Sequence, residues 1–177
     1  MSWVDSDGAT CELCTGDKIS AEALAKLEAD LGYRFPEDYV EQVTGSGLLH
    51  IERRAEGRVW ALGQMLGVAQ ISKVHRAFQQ WVDPDDFGDD EDDRKAALAE
   101  QSLRAALIPF QLMFDGSATD VYCFVRGREQ RGRPLIVAGL HDDYEISIWI
   151  DDDEIVGDGS YGFTEHVERW LASRRSE

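Results

Sequence analysis

The densest group of chemically active side chains is a run of carboxylates near the middle of the chain. Asp83–Asp93 contains eight acids among eleven positions and no base. Carboxylate oxygens are ligands that calcium prefers, so the first chemistry to consider is an EF-hand loop. Counted from Asp83, the fifth position is Phe87 and the twelfth is Arg94, where the motif needs an oxygen ligand and a glutamate. The spacing therefore excludes an EF-hand, although Gly88 occupies the required sixth position.

Two interpretations of this acidic run remain open. So dense a block of like charge is typical of a solvated, flexible loop between helices. It is also an anionic surface suited to a basic partner, with Phe87 as an apolar anchor. On the second interpretation, the partner-binding residues are Asp85, Asp86, Phe87, Asp89, Asp90, Glu91, Asp92 and Asp93.

A second acidic cluster lies nearer the C-terminus and supplies secondary candidates for partner binding. It consists of Asp151, Asp152, Asp153 and Glu154. Paired carboxylates could catalyse by acid and base, or hold two metal ions, if burial shifted their pKa values. Acids in runs are usually exposed in turns, and the chain has no G-x-S-x-G, H-E-x-x-H, Walker or dinucleotide-binding motif. We therefore predict no catalytic residue, no metal ligand and no cofactor.

The three cysteines give no strong metal or redox signature. Cys11 and Cys14 form a C-x-x-C pair, but no second close pair of Cys or His completes the four ligands of a structural zinc site. A thioredoxin-like role would place this pair after a strand and before a helix, whereas it lies among Gly, Thr and Asp. We predict a flexible N-terminal arm over residues 1–18. Cys123 stands in an apolar segment and is predicted to be a core residue.

The charge balance restricts the partners. The chain has 177 residues, and its 35 acids and 18 bases give a formal net charge of -17. Such a field repels phosphate backbones and anionic lipids and accelerates encounter with a basic protein. The same charge is equally consistent with a role in solubility alone, and composition does not decide between solubility and attraction of a basic partner. We expect no direct binding to nucleic acid or membrane, and the absence of a signal-peptide pattern or a long apolar stretch leads us to expect a cytoplasmic protein.

Apolar residues that recur every three or four positions predict the helices. The first has Ser20 as its N-cap and ends at Gly32. The predicted helices cover Ile19–Leu31, a short segment from Pro36 to Gly45, Val68–Val82, Arg94–Leu107 and Ser160–Ser173.

Short apolar or alternating runs predict the strands. These runs are Leu48–Ile51, Arg58–Leu62, Ile108–Phe114, Thr119–Val125, Pro134–Ala138 and Glu145–Ile150. A polar turn is predicted over Glu52–Gly57 and an arginine-rich hairpin loop over Arg126–Arg133. The predicted fold is a single α+β domain over residues 19–173, with a mainly antiparallel sheet packed with N-terminal, middle and C-terminal helices and an acidic loop at 83–93.

Several short motifs follow one another in a characteristic order. They are Leu31-Gly32, Phe35-Pro36, Asp38-Tyr39, Gly45-Ser46-Gly47, Ile108-Pro109-Phe110, Asp115-Gly116, Tyr122-Cys123-Phe124, His141-Asp142-Asp143 and Phe163 with Trp170-Leu171. This order resembles that of the SUKH superfamily, the Smi/Knr-like domains, from about Ile19 to Leu171. Phe35 stands where that family usually has leucine, and the glycine turn lacks the common Asn-Gly-Gly form.

The resemblance implies an α+β domain used as a protein-binding scaffold, very often as an immunity protein for a bacterial polymorphic or contact-dependent toxin. Many such toxins are nucleases, which contact phosphates and therefore tend to be basic. That implication gives the acidic charge a purpose, since it would steer the toxin toward a surface completed by apolar anchors. We predict an immunity protein without enzymatic activity that occludes a cognate, basic, nuclease-type toxin.

Two alternatives from other classes remain. The protein could be a regulatory scaffold that docks onto a non-toxin cellular protein, which a toxin reading frame directly upstream would argue against. It could also be a metal-dependent hydrolase that uses its acid clusters, which ranks last. That reading requires divalent-metal binding that is lost when Asp151–Asp153 are neutralised.

Overall fold

The structure is a computed structural model that describes residues 1–79, 91–115, 118–126, 135–140, 146–147 and 163–176. In this part of the chain one antiparallel sheet contains eight strands, each paired with its neighbours in sequence order. The strands are β1 Ser2–Val4, β2 Thr10–Thr15, β3 Leu49–Ala55, β4 Arg58–Met65, β5 Leu107–Asp115, β6 Ala118–Val125, β7 Leu135–Leu140 and β8 Ile146–Ser147. The helices are α1 Ala21–Leu31, α2 Glu37–Glu41, α3 Val68–Phe78, α4 Glu91–Ala106 and α5 Phe163–Ser176. The prediction of a single α+β domain with N-terminal, middle and C-terminal helices is confirmed.

Helix α1 forms where its local sequence signals lie. The Ser20 hydroxyl accepts a hydrogen bond from the Ala23 N–H at 3.1 Å, which satisfies one of the unpaired donors at the helix start. Gly32 ends the helix in the left-handed region at φ +58°, where glycine is favoured. The buried residues Leu24, Leu27 and Leu31 share one face, so the helix attaches to the core along a continuous stripe.

The N-terminal residues differ from the predicted flexible arm, because they contain β1 and β2, and β2 pairs with β3. Arg53 of β3 donates hydrogen bonds to Asp5 at 2.6 Å and to Asp7 at 3.0 Å. Asp5 also accepts from the Ala9 N–H at 2.8 Å, which closes the β1–β2 turn. The hydrogen bond from Arg53 is the main cause that lowers the pKa of Asp5. These strands were not predicted because Arg53, the partner that holds Asp5, lies 48 positions away, and local sequence patterns do not reveal so distant a contact.

The β3–β4 hairpin is tighter than predicted. Strand β3 extends through Ala55 into the segment expected to be a turn, and within that segment only Glu56 and Gly57 have positive φ, at +51° and +75°. That pair of dihedral angles suits a two-residue hairpin turn. Glu52 and Arg54 made the segment look like a loop, but they form an ion pair at 2.5 Å within β3. Polar residues therefore occupy a strand here.

Helices α2 and α4 also differ from their predicted bounds. The short helix from Pro36 continues as a π-helical turn, Gln42–Ser46, so Gly45 does not end it. Helix α4 begins at Glu91 instead of Arg94 because acids are favoured at the positive end of a helix and because Lys95 pairs with Glu91 at 2.9 Å. Glu91, Asp92 and Asp93, which were predicted to belong to the acidic loop over 83–93, therefore lie in a helix, and residues 83–90 lie outside the described residues. The predicted helical residues beyond Gln79 lie outside the described residues.

The core is built around aromatic rings from four elements. Phe110 of β5 stacks on Phe124 of β6, with 4.3 Å between ring centroids. Tyr39 of α2 lies edge-on to Phe124 at 5.5 Å and to Phe163 of α5 at 5.2 Å. Next to it, Asp38 accepts a hydrogen bond from the Thr164 N–H at 2.9 Å and so caps α5. The Asp38-Tyr39 pair therefore ties α2 to both the sheet and the C-terminal helix.

We expect the substitution Tyr39→Phe to leave the free energy of unfolding unchanged or to raise it by about 1 kcal/mol. The Tyr39 hydroxyl is fully buried, has no hydrogen-bond partner among the described residues, and its pKa is raised by that burial. Phenylalanine keeps the ring contacts and removes the unpaired hydroxyl. Urea unfolding followed by tryptophan fluorescence measures the change. A loss of more than about 1 kcal/mol would show that the hydroxyl is hydrogen-bonded after all.

No helix in the described part of the chain is both long and apolar enough to cross a membrane.

Candidate functional site

The described part of the acidic run is the first turn of α4. The side chains of Glu91 and Asp92 are 83% and 93% exposed, and Asp93 is exposed as well. Lys95 lies 2.9 Å from Glu91 and 3.8 Å from Asp92, but exposed pairs of this kind interact only weakly. The turn therefore presents a net negative charge to solvent.

The remaining predicted partner-binding residues lie outside the described residues. They are Asp85, Asp86, Phe87, Asp89 and Asp90 of the first run, and Asp151, Asp152, Asp153 and Glu154 of the second. Only Glu91, Asp92 and Asp93 can therefore be placed in the fold, and a common surface for the two acidic clusters remains a prediction.

A second acidic surface lies in a groove between α2 and α5. The groove has a volume of about 400 Å³, and Asp38, Glu41 and Glu168 contribute carboxylates to its lining. The apolar part of the lining comes from Phe163 and Val167. Sequence reasoning missed this surface because its acids are separated by more than a hundred residues and form no run. A groove with carboxylates and apolar walls suits a basic, partly apolar segment of another protein.

A basic groove of about 710 Å³ lies at the C-terminal end of α1, where Arg76 and Arg126 contribute cations. Arg126 donates a hydrogen bond to the carbonyl oxygen of Leu31, one of the last carbonyls of α1. A cation there is favoured by the negative end of the helix. Arg126 therefore has a structural partner, whereas the other arginines of the predicted hairpin loop, Arg128, Arg131 and Arg133, lie outside the described residues.

The cysteines do not form a joint site. Cys11 is opposite Arg53 and Cys14 is opposite His50 in the β2–β3 pairing. Because residues three apart on a strand point to opposite faces, the two thiols of the C-x-x-C pair are separated by the sheet. Cys123 is fully buried, as predicted, and burial raises the pKa of its thiol, which opposes a nucleophilic role.

The two buried histidines have structural hydrogen-bond partners. His75 Nδ1 lies 2.8 Å from the carbonyl oxygen of Leu107, and its Nε2 lies 2.8 Å from the Gln79 side-chain nitrogen. His166 Nε2 lies 2.9 Å from the side-chain oxygen of Gln111, which is itself completely buried. Burial lowers the pKa of both histidines, to about 4 for His166. Both rings are therefore neutral parts of the core near pH 7.

Comparison with known proteins identifies the family. The family model described as the SMI1 / KNR4 family (SUKH-1) matches residues 18–156. That range begins after β2 and includes the acidic run and the second acidic cluster. No curated protein and no solved structure matches the chain.

Proposed function

Because the chain belongs to the SMI1 / KNR4 family (SUKH-1), we propose that it is an immunity protein that binds a cognate bacterial toxin domain and neutralises it by occlusion. The observation that carries the proposal is the family match over 139 of the 177 residues, from 18 to 156. Immunity to polymorphic or contact-dependent toxins is a frequent role in this superfamily. It requires a stable binding surface and neither catalysis nor a cofactor.

The net charge supports a basic partner, and a nuclease-type toxin is the class that fits best. A nuclease domain needs cations along its substrate groove, and those cations complement a protein of charge -17. Long-range attraction raises the rate of encounter, while apolar contacts that exclude water slow dissociation. Occlusion of the substrate groove would then block the toxin's activity in the cytoplasm. This function requires no direct contact with nucleic acid or anionic lipid.

The proposed contact surface is centred on the acidic run, with the 151–154 cluster as a secondary part. Glu91, Asp92 and Asp93 support this choice because they are exposed at the start of α4. Phe87 lies within the run and would supply an apolar anchor, which the charged residues around it cannot provide.

We expect neutralisation of the acidic run to slow association with the toxin by about tenfold or more at low salt. The variant carries Asp89→Asn, Asp90→Asn, Glu91→Gln, Asp92→Asn and Asp93→Asn. The partner is first captured on tagged protein from native cells and identified, and its purified toxin domain is then used for kinetics at low and high salt. A nuclease assay with and without the immunity protein measures neutralisation directly.

A matched control variant distinguishes the effect of losing contacts at the acidic run from the effect of lowering the protein's net negative charge. It changes five exposed acids elsewhere to their amides, so its net charge equals that of the first variant. The control residues are Asp17, Glu22, Asp30, Glu37 and Glu56. If the run is the contact surface, the first variant associates more slowly than the control and depends less on salt. Equal rates for the two variants would assign the run to a solvated linker, and a cellular partner without toxin activity would favour the regulatory scaffold.

A further inference from the structure

One group of metal-ligating side chains lies on the β2–β3 pair, on the side of the sheet away from the core. Cys14 of β2 pairs directly with His50 of β3, and Glu52 follows two positions later, so all three side chains point to the same face. One ligand atom from each of the three lies within 4.8 Å of the others. The neighbouring residues Leu49 and Ile51 point the other way, into the core.

The spacing suits a small tetrahedral cation. With zinc–nitrogen and zinc–oxygen distances of about 2.0–2.2 Å, those two ligands lie about 3.4 Å apart in a tetrahedron. In the structure His50 Nε2 and Glu52 Oε1 are 3.6 Å apart. A thiolate, an imidazole and a carboxylate are also the ligand types that zinc takes in proteins, whereas calcium and magnesium prefer oxygen ligands alone.

The surroundings hold the carboxylate in place without using the oxygen that faces His50. Arg54 lies 2.5 Å from Glu52 Oε2, which leaves Oε1 directed toward the imidazole. Contacts of this kind orient the direct ligands of a metal. The side chains of His50 and Glu52 are 32% and 26% exposed, so the group is accessible to an ion from solvent and is partly shielded from competing water.

We propose that Cys14, His50 and Glu52 bind a zinc ion, with water in the fourth position, and that the ion links the N-terminal hairpin to the rest of the sheet. Cys14 coordinates as a thiolate, so one proton is released to solvent when the ion binds. Cys14 precedes the matched range 18–156, whereas His50 and Glu52 lie within it, so the site would join the N-terminal hairpin to the part of the chain that the family model covers. It also departs from the expectation, drawn from the sequence, that the chain has no metal ligand.

Cobalt titration of the complete, reduced, metal-free protein tests the proposal. We expect one equivalent of Co²⁺ to bind with a thiolate-to-cobalt charge-transfer band, and one equivalent of Zn²⁺ to displace it. The substitution Cys14→Ala should abolish the band and weaken Zn²⁺ binding by at least about 100-fold, since changes to mere supporting residues already cost 10- to 100-fold. His50→Ala and Glu52→Gln should weaken binding while the thiolate band at saturation remains.

Two control variants separate the site from its neighbours. Cys11→Ala removes the thiol on the opposite face of β2, and Glu12→Gln removes a carboxylate beside Arg54, 3.9 Å from its Nε. Both should bind Zn²⁺ as the unchanged protein does. Zn²⁺ should also raise the midpoint of thermal unfolding of the unchanged protein and leave that of Cys14→Ala where it is. The proposal is overturned if no thiolate band forms, or if Cys14→Ala binds Zn²⁺ as tightly as the controls.

Discussion

Replacing Gly47 with alanine is expected to lower the free energy of unfolding by about 3 kcal/mol or more. Gly47 has φ +107° and ψ -177°, a conformation that side chains rarely adopt. A β-carbon added there would lie 2.5 Å from the carbonyl oxygen of Gly16 and 3.1 Å from Thr15 Cγ2. The carbonyl cannot move aside easily because the Gly16 N–H donates to the Leu48 carbonyl at 2.7 Å. Urea unfolding followed by circular dichroism measures the loss.

The same turn provides the control. Gly45 lies two positions earlier, has no positive φ, and a β-carbon added to it would meet nothing within 4 Å. Gly45→Ala is therefore expected to leave stability unchanged or to raise it by up to about 1 kcal/mol, because alanine restricts the unfolded chain. Equal losses in the two variants would mean that the turn tolerates no side chain at all, and that the backbone conformation of Gly47 is not the cause.

This contrast shows what the sequence predicts at the turn and where the structure is needed. The Gly45-Ser46-Gly47 motif marks a turn, and the order of such motifs is enough to identify the family. The sequence does not distinguish the two glycines, because only the approach of Gly16 makes one of them obligatory. That approach joins segments about thirty residues apart, and local patterns carry no information about it.

Elements with complete local signals were predicted well. Helix α1 carries its own cap, stripe and terminal glycine, so its location was confirmed within one or two residues. Strands β1 and β2 were not predicted because their formation depends on the pairing of β2 with β3 and on the ion pair of Arg53 with Asp5. The local composition of Gly, Thr and Asp indicates a loop, and tertiary contacts override that preference.

The candidate sites also divide into those that the sequence predicts and those that only the fold brings together. Runs of acids are visible in the sequence, so the acidic contact surface of the proposed immunity protein could be predicted from composition and family motifs. The groove that joins Asp38 and Glu168 and the group that joins Cys14 to His50 depend on helix packing and strand register. A C-x-x-C pair even suggests the wrong partners, because strand alternation separates Cys11 from Cys14 and places His50 beside the latter.

Protonation of His166 is expected to remove about 3 kcal/mol of stability as the pH falls from 6.5 to 4. Burial lowers its pKa from 6.5 to about 4 in the folded protein, so across this range the unfolded chain binds up to one more proton than the native state. Stability therefore rises with pH through this window and is complete above it.

The variant His166→Gln isolates this contribution from that of the carboxylates and His75, which it leaves unchanged. Glutamine can still donate a hydrogen bond toward the side-chain oxygen of Gln111, which His166 Nε2 meets at 2.9 Å, but it does not titrate. Urea unfolding at a series of pH values should give a profile for the variant that is flatter than the wild-type profile by about 3 kcal/mol between pH 6.5 and 4. Parallel profiles would mean that the imidazolium is accommodated in the folded core, beside the ring of Phe110 at 5.5 Å between ring centroids. A flatter profile would show that a single buried ring couples the packing of α5 on the sheet to acidity.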